Sequence, residues 1–191
     1  LKNIQEALIR IKADIRKNIP EVIVHPVPLN GGTDVKLNCQ SRGVQIKIEV
    51  NTITRGNIFP TVLMQVVDSV QDEFGKFAAT HVVSLAELYG GKICAAVDRQ
   101  HPRDLFDLKL LLENEGINDN IWEGFKIGLL SHYKPVNELL SPILKDQKSA
   151  FEKQFAGMTS QTFTYDNYEN TRKMLVEIIK QRLTENDKKF F

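Results

Sequence analysis

The sequence predicts an α+β protein in which a small mixed or antiparallel sheet is followed by a helical bundle. Three patterns carry that expectation. Val35, Leu37 and Cys39, then Val44, Ile46, Ile48 and Val50, alternate with polar residues at the two-residue period of a half-buried strand. Beyond Ser84 the apolar residues recur every three or four positions, the period of an amphipathic helix. Pro and Gly punctuate the chain between several of these segments, as at Pro20, Asn30-Gly31-Gly32, Pro102 and Pro135.

The elements follow in order. Ile4, Leu8, Ile11 and Ile15 predict an opening helix that is already under way at Leu1, so the complete protein is expected to extend further upstream. Pro20 ends that helix. Residues 22–27 read as a strand, but Pro26 and Pro28 have no N–H to donate, which places it at a sheet edge. Asn30-Gly31-Gly32 supplies turn chemistry, and Ser41-Arg42-Gly43 joins the two alternating runs into an antiparallel hairpin with one apolar face, from which Lys47 and Glu49 point away. Residues 51–84 are mixed: a loop at Arg55-Gly56-Asn57, a short helix or strand within 62–70, and a strand at 81–83.

Ser84, with Glu87 three residues later, is a capping box and opens a helix packed through Leu85, Leu88, Ala95 and Ala96. Gly90-Gly91 within it either weakens the helix or admits another backbone. Pro102 suits the first position of the next helix, whose core stripe is Leu105, Leu108, Leu111 and Leu112 and which stops at 114–116. Further helices are expected at 120–131, 136–140, 147–155 and 165–183, with Pro135 and Pro142 as breaks. The boundary near Ser84 divides the chain into a β-containing region, 1–83, and a helical region, 84–191.

Composition bounds the function only loosely. The 191 residues are 42% hydrophobic and 26% charged, which excludes a disordered or fibrous chain. A net charge of +1 gives no global field toward nucleic acid or an anionic membrane. Cys39 and Cys94 have no metal-like spacing, which favours reduced thiols. No apolar run approaches the roughly 18 residues of a membrane span. No signal-peptide pattern opens the chain either, so a cytoplasmic location and no membrane partner are expected.

The run 92–108, K-I-C-A-A-V-D-R-Q-H-P-R-D-L-F-D-L, sets basic and acidic groups around one Pro-containing turn between two helices. A helix interior accounts for its Ala and Leu positions but not for the clustering of Lys92, Arg99, Arg103, Asp104 and Asp107. Seven residues separate Lys92 from Arg99, so both fall on one helical face and make a positive strip for a phosphate or an RNA backbone, unless the arginine is simply solvated. Asp104 lies in the first turn of its helix, where a carboxylate also complements the helix dipole. Asp107 stands four residues after Arg103, which would also fit an intrahelical ion pair. His101 reads as a cap or turn residue, and His25, His81 and His132 likewise lack the neighbours of a metal ligand. Trp122, Phe125 and Leu129 have helical spacing and read as core rather than as a base-stacking platform.

Lys92, Ala95, Arg99, the Arg103-Asp104 dipeptide and Asp107 form the pattern K-x2-A-x3-R-x3-RD-x2-D. Together with the strand at 44–51 and Phe155-Ala156-Gly157-Met158, this chain resembles the AbiEii-type nucleotidyltransferases, the toxin half of type IV toxin–antitoxin systems. The resemblance implies that the strands are part of a nucleotidyltransferase-like sheet. It further implies transfer of a nucleotide from an NTP to an RNA or protein acceptor, with Mg2+ as cofactor and a cognate antitoxin as partner. Lys92 would contact nucleotide phosphates, with Arg99 and Arg103 as further phosphate ligands. Asp107 would orient Lys92 or act as a base, with Asp104 as a second catalytic carboxylate.

The chain departs from the family pattern in one respect. The family carries a glycine turn and an Asp-x-Asp metal pair near its start, and no Asp-x-Asp occurs here. Asn30-Gly31-Gly32-Thr33 reads as a hairpin turn rather than a phosphate loop. Nucleotidyl transfer needs divalent ions held by clustered carboxylates, so this chain is expected to be a fragment inactive by itself, with Mg2+ and NTP belonging to the complete protein. Glu49 is where a further sheet-borne carboxylate would sit, the alternative being a solvated residue paired with Lys36 or Lys47. The other class of function is a catalytically incompetent module that binds a nucleotide, an RNA or a protein.

Overall fold

The computed structural model describes residues 2–28, 34–50 and 56–191. The predicted turn at Asn30-Gly31-Gly32 and Arg55 of the predicted loop lie outside the described residues. The architecture is α+β, and the chain forms two compact units, Leu1–Gly56 and Asn57–Phe191.

In the first unit, helix α1 (Lys2–Asn18) lies on a three-stranded antiparallel sheet of order β1-β2-β3, with β1 at Ile23–Pro28, β2 at Asp34–Ser41 and β3 at Val44–Glu49. The two prolines of β1 confine it to an edge, as a strand without those donors must be. Arg42 and Gly43 both have positive φ, 49° and 80°. That is the paired left-handed conformation of a two-residue hairpin whose twist matches its strands. Register places Val24 opposite Cys39 and Leu37 opposite Ile48, and this face buries Val24, Leu37 and Cys39 against Leu8, with Ile4 and Ile15 packed beside them. The apolar face of β3 is only partly covered. Val44 and Ile46 are each 61% exposed, because α1 packs on β2 and β1 and does not extend over the outer strand.

The second unit begins with a two-stranded antiparallel sheet, β4 (Val62–Gln65) and β5 (Ala79–Val82), joined through a short helix, α2 (Asp68–Phe74). The mixed stretch therefore holds a strand and a helix where the sequence offered one or the other. Every described element that follows is a helix: α3 (Leu85–Arg99), α4 (Pro102–Asn114), α5 (Asp119–Leu130), α6 (Val136–Leu140), α7 (Lys148–Gln154), α8 (Tyr165–Arg182) and α9 (Glu185–Phe190), the last not anticipated from sequence. Their core joins Ile93, Val97, Leu105, Leu108, Phe125, Leu129, Tyr168 and Leu175, and Trp122, Phe125 and Leu129 are core residues as expected.

The most extensive helix–helix contact is α3 on α5, and small residues set it. A Cβ on Gly90 would meet Phe125 N at 2.6 Å and Gly124 O at 2.7 Å, whereas one on Gly91 would meet nothing. A Cβ on Gly124 would in turn run into the Ala86 backbone. Ala86 and Gly90 of one helix thus face Gly124 of the other, and the two backbones come into contact because no side chain separates them. Cys94 is sealed at this seam with Gly128 against its sulfur; it is free, as is Cys39, and burial pushes its thiol up to about 12, the behaviour of an inert core residue.

Candidate active site at the α3–α4 turn

Ser84 caps α3 by accepting the Glu87 N–H at 3.2 Å. The reciprocal half of the predicted capping box is diverted: the Glu87 carboxylate accepts the N–H groups of Ile58 at 3.1 Å and Phe59 at 3.3 Å, tying the chain before β4 to the start of α3. Fifteen residues of helix then carry Lys92 and Arg99 to a turn of two residues. Gln100 adopts the left-handed conformation (φ 55°, ψ 31°) and closes α3, while His101 is extended, as the residue before a proline must be. Its Nδ1 accepts the Arg103 N–H at 3.2 Å, so His101 is the N-cap of α4 and Pro102 takes the first helical position.

This turn brings the motif residues together in two ion pairs. Lys92, in the middle of α3, donates to the Asp107 carboxylate of α4 across fifteen residues of sequence. Asp107 is therefore paired with Lys92, not with its helix neighbour Arg103. Arg99 holds Asp104 through two hydrogen bonds, Nε at 3.1 Å and Nη2 at 2.7 Å, the fork geometry in which a guanidinium grips a carboxylate. Arg103 is exposed, and among the described residues it has no ion-pair partner. An open recess of about 340 Å³ lies at the turn, lined by Arg99, His101, Arg103 and Asp104. Two arginines against one carboxylate leave it net positive with His101 neutral, a setting for a phosphate. Lys92 and Asp107 do not line that recess; seven helical residues place Lys92 about 10 Å from Arg99 along the α3 axis.

Glu49 belongs to the first unit. Its carboxylate accepts from Lys36 at 3.0 Å and pairs with Lys47 at 2.9 Å, and the hydrogen bonds from Lys47 and then Lys36 hold it below the usual carboxylate range. Among the described residues no group of three or more His, Cys, Asp or Glu is placed to hold a metal ion. Asp104 and Asp107 are each engaged by their own cation, so these carboxylates do not fit a Mg2+ site.

A larger recess, about 590 Å³, lies elsewhere, between the end of α3 and residues 134–145, and contains none of the motif residues. Its lysines are already occupied: Lys134 donates to the Asp98 carboxylate and Lys145 to the Asp98 main-chain oxygen at 2.8 Å. Volume alone does not make it the site. Sequence reasoning missed Asp98, whose carboxylate also lies 3.5 Å from His132. Burial alone would raise the Asp98 carboxyl, but the Lys134 hydrogen bond and the charges of Lys134, His132 and Lys145 outweigh it and hold the group below its ordinary value. Sequence reasoning also missed a buried network of Gln100, Tyr168 and Arg172; glutamine and arginine read as surface residues unless the fold removes them from water.

A family model described as "Nucleotidyl transferase AbiEii toxin, Type IV TA system" matches residues 1–181. No curated protein and no solved structure matches the chain. Among the described residues no helix is long and apolar enough to cross a membrane.

Proposed function

Because the chain belongs to the AbiEii family of nucleotidyl transferase toxins of type IV toxin–antitoxin systems, we propose that it serves transfer of a nucleotide from an NTP to an RNA or protein acceptor, with the α3–α4 turn at the reacting phosphates. The observation that carries this reading is the Lys92–Asp107 pair, which joins the first and last residues of the motif across two helices. In the proposal Lys92 is a point charge for the nucleotide phosphates, and Asp107 orients it or accepts a proton from the attacking group. Arg99 and Arg103 supply further phosphate contacts at the recess they line. Asp104 holds Arg99 in place for that contact, and Glu49, on β3 of the first unit, is proposed as a further catalytic carboxylate of the protein. Mg2+, a cytoplasmic location and a cognate antitoxin belong to the same reading.

An ion pair is a sensible resting state for such a lysine. Lys92 and Asp107 are a third or more exposed, 33% and 39%, so their mutual attraction is weak, roughly 0 to 1 kcal/mol. A triphosphate, carrying more charge than one carboxylate, can take the ammonium over.

The test measures NTP binding and nucleotide transfer by the intact gene product beside Lys92→Ala and Asp107→Asn. Loss of transfer in both, with weaker NTP binding in Lys92→Ala, supports the reading. Unchanged binding and transfer in Lys92→Ala removes the lysine from the site. The pairing of both motif carboxylates with cations also favours a second reading, a module that binds a nucleotide, an RNA or a protein without catalysis. Binding that depends on Lys92 with no transfer under any condition selects that one.

A further inference from the structure

The α3–α4 turn is held from behind by a side chain with no part in the charge pattern. Gln100 is 1% exposed. Its Nε2 donates to the Ile143 carbonyl at 2.8 Å, and its Oε1 accepts from Lys145 N and from Arg172 Nη1, each at 3.0 Å. Its own carbonyl accepts the Tyr168 hydroxyl at 2.7 Å. Both ends of the amide and the main-chain oxygen are thus committed, and the partners come from the irregular segment before α7 and from α8.

The neighbours of Gln100 are fastened to the same segment. Lys145 Nζ donates to Asp98 O at 2.8 Å and Gln147 Nε2 to Arg99 O at 3.0 Å. The last carbonyls of α3, which no intrahelical N–H can reach, are therefore taken up by side chains from outside the helix pair. Arg172 completes the clamp by donating from Nη2 to both Glu169 carboxylate oxygens, at 2.6 and 2.8 Å, and from Nη1 to the Lys145 carbonyl at 2.6 Å. A buried amide whose nitrogen and oxygen are both hydrogen-bonded is held in one orientation, since rotating it away leaves a desolvated donor or acceptor without its partner.

We propose that Gln100 is a positioning residue of the α3–α4 site: its buried amide, clamped between the 143–145 segment and Arg172, fixes the angle at which α3 presents Lys92 and Arg99 to Asp107 and Asp104 of α4. This inference rests on the transfer reading above for its kinetic consequence, but not for its structural one. Gln100 touches neither ion pair; it acts through the turn that both pairs span.

The experiment compares Gln100→Asn and Gln100→Glu with a control of similar stability, Ile179→Val, a buried α8 residue outside the clamp. Asparagine tolerates the left-handed conformation, so the turn survives while the shorter amide falls short of Ile143 and Arg172. Glutamate keeps the length and the acceptor for Arg172 but loses the donor to Ile143. Two readouts are taken on folded protein, well below each melting temperature. In NTP-dependent transfer, Gln100→Asn is expected to lose tenfold or more in turnover with KM for NTP within threefold, Gln100→Glu to recover part of it, and Ile179→Val to stay within twofold of the parent. In NMR of the Lys92 side chain, assigned with Lys92→Arg, the Gln100→Asn signal is expected to move toward its position in Asp107→Asn.

Turnover and a Lys92 signal in Gln100→Asn that match the Ile179→Val control overturn the proposal. All variants are made in the intact gene product; if that parent itself shows no transfer, the transfer reading fails, and the Lys92 signal alone decides: movement supports the clamp, no movement overturns it.

Discussion

Gly90 and Gly91 are neighbours on one helix, yet alanine at the two positions is expected to change stability in opposite directions. At Gly91 the new methyl meets nothing within 4 Å, so the helix only loses glycine's backbone entropy penalty and gains roughly 0.5–1 kcal/mol. At Gly90 the same gain is opposed by a clash with backbone that cannot rotate away: Phe125 N at 2.6 Å and Gly124 O at 2.7 Å, where ordinary contact begins at 3.4 Å. The nearest backbone atom, Gly124 C, would lie 2.4 Å from the methyl, so helix α5 must recede by roughly 1 Å, which forfeits up to about half of each dispersion contact along the seam and, as overpacking does, costs about 1–3 kcal/mol or more. The net expectation is a loss of about 2 kcal/mol for Gly90→Ala, separating the two variants by roughly 5–10 °C in melting temperature. The assay is thermal and urea unfolding followed by the fluorescence of Trp122, the single tryptophan, which is buried on α5 itself. Stabilisation by both substitutions, or equal changes, would refute the close approach of α3 and α5.

Three further outcomes are expected. Lys92→Ala and Asp107→Asn should each change unfolding free energy by less than about 1 kcal/mol, because their pair is partly solvated; urea midpoints then separate a functional loss from an unfolding one. Arg172→Met should cost roughly 3 kcal/mol in urea unfolding, since it strips donors from Glu169, Lys145 O and the buried Gln100 Oε1. For Asp98 the folded carboxyl lies below its unfolded value, near 4, so its contribution is complete above about pH 4 and lost as pH falls through the folded value. Stability profiles of the parent and Asp98→Asn should therefore differ near neutral pH and converge in acid; parallel profiles down to pH 2 would show that the Lys134 pairing contributes nothing.

Much of the architecture was legible because it is local. Alternation at Leu37, Cys39, Ile46 and Ile48 follows from the pleat of a strand, and the Pro102 helix start follows from the missing N–H and fixed φ of proline. The edge position of β1 follows equally from Pro26 and Pro28. What failed was also physical. The alternating run predicted one continuous apolar face, but Val44 and Ile46 are left exposed because burial depends on what lies above the strand. The capping box at Ser84 was half realised, because Glu87 found two N–H groups from a segment almost thirty residues away. The short α9 was missed because six residues rich in charge show no periodicity, although Thr184 and Asp187 cap it reciprocally.

The charged motif divides along the same line. Spacing alone put Lys92 and Arg99 on one face of a helix and Asp104 and Asp107 on the next, since 3.6 residues per turn is a property of the backbone. Spacing equally allowed Asp107 to pair with Arg103, four residues away, and only the packing of α4 against α3 gave it to Lys92 instead. The same packing distinguished Gly90 from Gly91 and took Gln100 out of water, choices invisible in a linear text because they depend on which surfaces meet. Periodicity is written by chain stereochemistry and can be read residue by residue; partnership is decided by the excluded volume and desolvation of groups brought together from distant positions, and it exists only once the helices have docked.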